Sequence, residues 1–438
     1  MKSKKAVWPI AGALVAAGIA VSAGILGQAQ AIDEIPERRP ARFLSFRFAD
    51  SLERPQREEQ EHPDDLLRAM GLKPGDVVAD VGCGTGFLAR RIAKIVGPTG
   101  RVYCEDIQEE MLDLMKQRAD REGVTGIVPI LGTVDDPKLP AGTADWLLLA
   151  DVYHEMDDWQ GMLMRLRPAL SPRGKIALVE ARAEDNTASY INPAHRMSVR
   201  QVLAEWRPAG YRLVDLLEGL PSHHLFIMET GETTGRVPAI NDMSLATAIR
   251  TAAVEAQPHG AGDRTVTIRV RRTGKARLIV TTAPGEYFAS PRGRTRDMVT
   301  TRDGWVALFD DNWHDMTLSA SGIALARDAP GPTVSLELQP ERSAPLRTLM
   351  YAMQAGGLPS IVAQASLAIT VDDGTYEEME PLLGGGPVSE AHAAALAMMA
   401  VERINGGIAS RKIMAARDRI AAAVPDEMLR VALLQLQR

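Results

Sequence analysis

Apolar residues along this chain fall into short runs separated by polar turns, and the rhythm of those runs changes near residue 230. The run Asp76 to Val81 ends in a glycine-containing loop, and Phe87 to Val96 then has apolar positions at helical spacing, which predicts strand, loop and helix. Arg101 to Asp106 predicts a second strand. Glu109 to Arg121 predicts an amphipathic helix with Met111, Leu112 and Met115 on one side. The series continues with strands at Ile127 to Leu131, Asp145 to Ala150 and Lys175 to Glu180, and with helices at Trp159 to Arg167 and Val199 to Arg207. Tyr211 to Leu217 and His224 to Glu229, joined by the short Glu218 to Pro221 region, predict an antiparallel hairpin at the sheet edge. Strands alternating with helices predict an α/β fold, a parallel doubly wound sheet covered on both faces.

Beyond Thr230 the long helical patterns stop. A polar linker is expected over 231–244, and the segments Val266 to Arg271 and Arg277 to Thr281 alternate with period two on either side of a turn. With further strands at Trp305 to Phe309, Met316 to Leu318 and Thr333 to Leu338, residues 245–340 read as a β-sandwich-like region. Helical patterns return at Leu346 to Gln354, His392 to Ile404 and Ile413 to Ala423, so 341–438 reads as a helical region. At the other end, Lys2, Lys4 and Lys5 precede an apolar run from Ala6 to Gly27 and then Ala29-Gln30-Ala31. That order is the pattern of a secretory signal peptide over 1–31, leaving Ile32 as the mature N-terminus, with an uncleaved membrane anchor as the alternative. Either way the expected location is exported, periplasmic or extracellular, or membrane-anchored. The charged, proline-punctuated stretch 32–53 is expected to be linker, and 54–230 the α/β domain.

Composition adds mostly exclusions. A length of 438 residues exceeds one ordinary core, and a formal net charge of −6 provides no field for gathering a polyanion, so no nucleic-acid partner is expected. The only two cysteines, Cys83 and Cys104, show no spacing that suggests zinc or a disulfide framework. Adjacent His223 and His224 on a strand would point to opposite faces, so no metal set is expected there.

The chemistry concentrates in Asp80-Val81-Gly82-Cys83-Gly84-Thr85-Gly86. Gly82, Gly84 and Gly86 allow backbone to approach a ligand where a side chain would occupy its place. A dinucleotide fingerprint would put its third small residue one position later, where this chain has Phe87. Asp80 would repel a pyrophosphate but suits a cationic ligand. About 20 residues further on, at the end of the second strand, Glu105 and Asp106 both qualify as the acid that accepts from ribose hydroxyls. Alternation predicts that only one faces the crevice.

The segment Val78 to Gly86 resembles motif I of class I S-adenosylmethionine-dependent methyltransferases. Val102 to Leu112, Thr143 to Leu149 and Leu170 to Glu180 resemble, in order, the family's second, fourth and fifth strand segments. The resemblance covers about Arg54 to Glu229 and is to small-molecule enzymes, like those of quinone biosynthesis and secreted bacterial members. It implies a Rossmann-like, seven-stranded methyltransferase domain, S-adenosylmethionine as cofactor, and a small or lipophilic methyl acceptor. It favours Asp106 over Glu105 for the ribose and points to Thr133, Val134 and Asp135 for the adenine. Many relatives carry an acid directly after the glycine at that place, where this chain has Thr133 after Gly132.

Ligands in such sheets bind outside the carboxyl ends of the strands, so Asp151 to Glu155 faces the reaction centre, with Asp151 at its cofactor side. His154 is the first candidate for an acid/base, His195 and His224 the alternatives, and Tyr153 either lines the pocket or belongs to the core. A competing reading is an exported S-adenosylmethionine-binding sensor, or a catalytically inactive module, whose C-terminal half binds another protein. The N-terminal segment is the candidate for membrane association.

Overall fold

The computed structural model describes residues 40–185, 187–231, 240–384, 388–405 and 411–436. The expected signal or anchor over 1–31 lies outside them, as does most of the polar segment 231–244. A 3-10 helix, Phe46–Glu53, leads into two short helices, α1 (Arg57–Glu61) and α2 (Pro63–Met70). Then come β1 (Val77–Val81), α3 (Phe87–Val96), β2 (Arg101–Asp106), α4 (Glu109–Glu122), β3 (Ile127–Leu131) and β4 (Ala144–Ala150). They are followed by α5 (Trp159–Leu166), β5 (Leu170–Arg182), β6 (Arg196–Met197), α6 (Val199–Trp206), β7 (Tyr211–Leu217) and β8 (His223–Thr230).

The sheet runs β3-β2-β1-β4-β5-β8-β7, with the two-residue β6 paired to β5 off that path. β1 is parallel to both β2 and β4, and β8 is antiparallel to both β5 and β7. The seven-stranded, doubly wound arrangement is therefore present, and its hairpin pairs as expected. The finer point is that β8 sits inside the sheet and only β7 is at the edge. The reason lies in burial: the first six residues of β8 are all buried, whereas β7 alternates, as an edge strand with one wetter face does. Each face of the sheet is covered by helices of matching apolar periodicity. Leu66, Leu88, Ile92, Leu112 and Met115 from α2, α3 and α4 close one face, and Leu163, Leu166, Val202 and Trp206 from α5 and α6 close the other.

The rest of the chain contributes β9 (Asn241–Ser244), α7 (Leu245–Arg250), β10 (Val254–Gly260), β11 (Thr265–Arg272), β12 (Leu278–Thr282), β13 (Tyr287–Ala289) and β14 (Asp297–Thr300). β15 (Gly304–Leu308), β16 (His314–Ile323) and β17 (Glu337–Leu338) complete two sheets, ordered β10-β11-β16-β14-β13-β17 and β15-β12-β9. Leu278 and Val280 meet Val266, Ile268 and Leu318 in one core between them, which is the sandwich-like packing expected. The helices α8 (Pro340–Ala355), α9 (Ser360–Val371), α10 (Tyr376–Leu383), α11 (Glu390–Asn405), α12 (Arg411–Met414), α13 (Arg417–Ala423) and α14 (Glu427–Gln435) then pack around Val362, Leu367 and Met398.

Two segments read as linker are structured. The end of the 231–244 stretch is β9, paired in parallel with β12. Ile240 and Ile279 are buried in the same core as α6 and Trp206, with Trp305 and Phe309 packed against it, so the small sheet leans on the α/β domain. Residues 40–53 likewise pack on the domain. The Gln108 side chain donates to Leu44 O at 2.8 Å and accepts from Phe46 N at 2.9 Å, and Ala41 N donates to His154 O at 3.0 Å. Among the described residues no helix is long and apolar enough to cross a membrane.

Candidate functional site

A cavity of about 1030 Å³ opens at the carboxyl ends of β1, β2 and β4, where a doubly wound sheet leaves its crevice. Its floor is the loop Asp80 to Thr85. Gly82 and Gly86 both have φ in the left-handed region, at 65° and 73°, and a Cβ on either would collide with Val152 or Met115 respectively. Position 87 is not part of that requirement: Phe87 starts α3 and takes the Arg57 guanidinium over its ring at 4.1 Å.

Asp80, Glu105 and Asp106 all line the cavity and all are nearly buried. This corrects the expectation that alternation admits only one of the strand-end acids. Both reach the loop: Gly84 N donates to Asp106 at 2.9 Å and Gly82 N to Glu105 at 3.3 Å. The longer Glu105 side chain bridges from β2 to the turn after β1, and it fills the space a Cβ would need at Gly132. Burial pushes Asp80 up to about 7, with Asp106 adding to the rise and Arg57 opposing it. Burial also lifts Glu105 to about 8 against its Gly82 bond, with Asp106 and Asp80 adding. Asp106 rises from burial against the N–H groups of Gln108 and Gly84. Three acids lining one buried pocket offer acceptors to a ligand bearing hydroxyl or ammonium donors.

Cys83 and Cys104 form a disulfide, with Cα atoms 5.4 Å apart. The spacing concealed it because the two residues are brought together by a strand-helix-strand crossover: β1 and β2 are adjacent and parallel, with Asp80 opposite Cys104. The bridge ties the glycine loop to β2 beside the acids.

At the far rim, Thr133, Val134 and Asp135 line the cavity, with Thr133 Oγ1 donating to Asp135 at 2.6 Å. Asp151 lines it after β4 and adopts φ of 54°. Burial alone would push Asp151 up, but the His223 imidazole, 3.1 Å away, holds it down at about 2. Tyr153 is core, packed on Trp206 with its hydroxyl donating to Glu205 at 2.6 Å.

Of the three candidate histidines, the fold brings two together. His154 sits in a 3-10 turn, Tyr153–Glu155, and His195 in another, Pro193–His195. His154 Nε2 is 2.9 Å from His195 Nδ1 and both rings line the cavity. Glu180, fully buried on β5, accepts from His154 Nδ1 at 2.6 Å and from the His154 backbone N–H at 3.2 Å. Burial disfavours charge on His154, but Glu180 outweighs it and raises the pKa. Burial and the His154 charge lower His195, and burial lifts Glu155 to about 7 against His154.

His224 is not part of this group. It points to the opposite face of β8 from His223, as alternation predicts, and is held between Glu218 at 2.8 Å and Glu184 at 3.0 Å with no exposed surface. Its burial opposes charge, yet the two carboxylates raise its pKa to about 9. The fold therefore favours protonated His224, a stabilisation complete below the unfolded value of ~6.5 and lost as pH rises through about 9. Thermal unfolding followed between those limits should show a falling midpoint that His224→Gln flattens. Identical slopes in the two proteins would refute the pairing.

Sequence reading took residues 40–53 for linker and missed that they wall the cavity together with the start of the domain. Leu44, Leu52, Arg54, Arg57 and Glu61 line the cavity, and Glu53 binds Arg90 at 2.8 Å and Arg118 at 3.0 Å. Arg54, Arg57 and Glu61 fall inside the expected domain, and no local pattern in 40–53 marks that stretch as part of the wall.

Residues 78–174 match the family described as "Methyltransferase domain". A ubiquinone/menaquinone biosynthesis C-methyltransferase of Cupriavidus taiwanensis is 33% identical over 110 residues, 25% of this chain and 45% of that protein. Its counterpart in Ectopseudomonas mendocina is 35% identical over 120 residues, 26% of this chain and again 45% of the relative. The chain thus spans less than half the length of these curated relatives. Among solved structures, a SAM-dependent methyltransferase from Aquifex aeolicus is similar at 26% identity and a TM-score of 0.40, covering 42% of this chain and 99% of that one.

Proposed function

We propose that this chain transfers the methyl group of S-adenosylmethionine to a small, largely apolar acceptor bound at the His154–His195 end of the cavity. The observation that carries the reading is the acid-lined glycine loop: Asp80, Glu105 and Asp106 line the cavity beside Gly82 and Gly84, offering acceptors to ribose hydroxyls and to an amino-acid ammonium. The match of residues 78–174 to a methyltransferase domain supports it. When bound, S-adenosylmethionine supplies an electrophilic methyl carbon, whose bond to sulfur breaks as the acceptor's bond to carbon forms, sulfur keeping the electron pair.

The chain's own part is placement and exclusion of water. Asp106, with Glu105 beside it, would receive the ribose hydroxyls, Asp80 would face the amino-acid portion, and Thr133, Val134 and Asp135 would border the adenine. Phe43, Leu44, Met156 and Ile191 give the remaining space an apolar lining. Aromatic acceptors of quinone type are the first class to test, because the similar proteins bear names from quinone biosynthesis. The apolar run followed by Ala29-Gln30-Ala31, together with the Cys83–Cys104 bridge, supports an exported location.

Incubation of the full chain with methyl-labelled S-adenosylmethionine and fractionated extract of the source cells should yield a labelled small molecule in an organic-soluble fraction. Cofactor binding without any labelled product across all fractions would instead favour a sensor.

A further inference from the structure

We propose that His154, Glu155 and His195 form a binding site for one divalent first-row transition-metal ion, open on the cavity side. Each residue offers one ligand atom, and the three atoms lie within 4.8 Å of one another. His154 Nε2 and His195 Nδ1 are 2.9 Å apart, and Glu155 Oε1 is 3.8 Å from His195 Nδ1. Donors held ~2.1 Å from a shared ion at angles of 90–109° stand ~3.0–3.4 Å from each other, so the nitrogen pair at 2.9 Å is close to that spacing, and the Glu155 carboxylate, 3.8 Å from His195, would have to turn inward to join them.

A second feature, independent of those distances, is the support behind the ring. Glu180 has no exposed surface, and its carboxylate accepts from His154 Nδ1 at 2.6 Å while its other oxygen accepts the His154 backbone N–H at 3.2 Å. A buried carboxylate on the outer nitrogen of a histidine fixes the ring's orientation, so that the inner nitrogen, here 2.9 Å from His195 Nδ1, serves as a ligand once the ion displaces the proton, the arrangement found behind metal-bound imidazoles. The ligands come from two segments that β4 and β5 place side by side: the turn after β4 carries Glu155 next to His154, and the loop after β5 brings back His195. Two imidazoles and a carboxylate on one side of an ion leave its other positions open, which suits Zn²⁺ or Fe²⁺ and not the all-oxygen preference of Mg²⁺ or Ca²⁺.

All three ligands line the same cavity as the glycine loop. The open face would therefore take an oxygen of the acceptor, and a coordinated hydroxyl or phenol would lose its proton to solvent and remain as the metal-bound oxyanion. That role at the open face rests on the methyl-transfer reading; the metal site itself does not.

The test uses the full chain, freed of metal by a chelator and with its disulfide intact. Zn²⁺ content after dialysis, Co²⁺ absorption in the visible range and S-adenosylmethionine affinity by calorimetry are measured on the same samples. The expected result is one Zn²⁺ per chain and a Co²⁺ spectrum of low-symmetry nitrogen and oxygen ligation. Glu155→Gln and His195→Ala should lose the ion, and Glu180→Gln should weaken it by ~10- to 100-fold. His314→Ala, which removes the exposed pairing with Asp310, should leave binding unchanged. Circular dichroism reports folding of each variant, and the Co²⁺ spectrum of the unaltered chain stands even where a variant fails to fold. No retained ion in the unaltered chain, or retention undiminished in folded Glu155→Gln and His195→Ala, overturns the proposal. Metal binding without cofactor binding would leave the site standing and remove the methyl-transfer reading; the reverse would do the opposite.

Discussion

Asp106→Ala is expected to weaken binding of S-adenosylmethionine and of its demethylated product by ~10²-fold or more, while the chain stays folded. Asp106, proposed above to receive the ribose, also holds the loop. One oxygen accepts from Gly84 N at 2.9 Å, and the other from Gln108 N at 2.8 Å. The Gln108 side chain in turn holds the backbone at Leu44 and Phe46, and Leu44 lines the cavity. The alanine variant leaves a buried loop N–H without its acceptor, loosens the wall and removes the oxygens offered to the ribose, and bonds to a charged acceptor contribute about 1.5–3 kcal/mol each. Asp106→Asn, which keeps one accepting oxygen, should fall between the two. Gly86→Val should abolish binding by another route, because its new side chain would overlap Met115. Isothermal calorimetry with both ligands decides the matter. Unchanged affinity in the alanine variant, or tight binding of a nicotinamide dinucleotide by the unaltered chain, would sink the cofactor assignment.

Removing the bridge with Cys83→Ser together with Cys104→Ala is expected to cost about 3 kcal/mol of stability in chemical denaturation, the chain-entropy value for a loop of this size. The consequence should extend to the site. Cys83 lies between two of the loop glycines and Cys104 precedes the acids on β2, so without the bridge the loop is joined to β2 by fewer ties. Peptide mapping of the protein from its source, alkylated under denaturing and non-reducing conditions, should find the two cysteines joined and unlabelled. The same digest should give a first peptide beginning at Ile32, as expected for a processed, exported chain. Two alkylated cysteines with Met1 intact in a soluble cytoplasmic fraction would overturn both the bridge and the export proposal.

Much of the cofactor end was legible because its information is local. Gly82, Gly84 and Gly86 answer to a backbone demand set within seven residues, and the strand acids follow from where β2 ends. The histidine group was legible only as a set of candidates. His154, His195 and His224 are alike as sequence, and what separates them is which strand end each reaches. His195 meets His154 across 41 residues, whereas His224 is captured by Glu184 across 40 and Glu218 across six.

By itself the sequence determined the alternation of strands and helices, the parallel sheet, the glycine loop and the acids beside it. Each of these depends on periodicity or on conformational limits that operate over a few residues. Tertiary structure alone decided that residues 40–53 wall the cavity, that β8 lies inside the sheet, that Cys83 meets Cys104 and that Glu180 stands behind His154. Those contacts join residues 62, 21 and 26 apart in the cases of Phe46 with Gln108, the two cysteines, and His154 with Glu180. Periodicity states which face of an element is buried but not which distant element covers it, and the partner is selected only when the whole core closes and every buried polar group must find a mate.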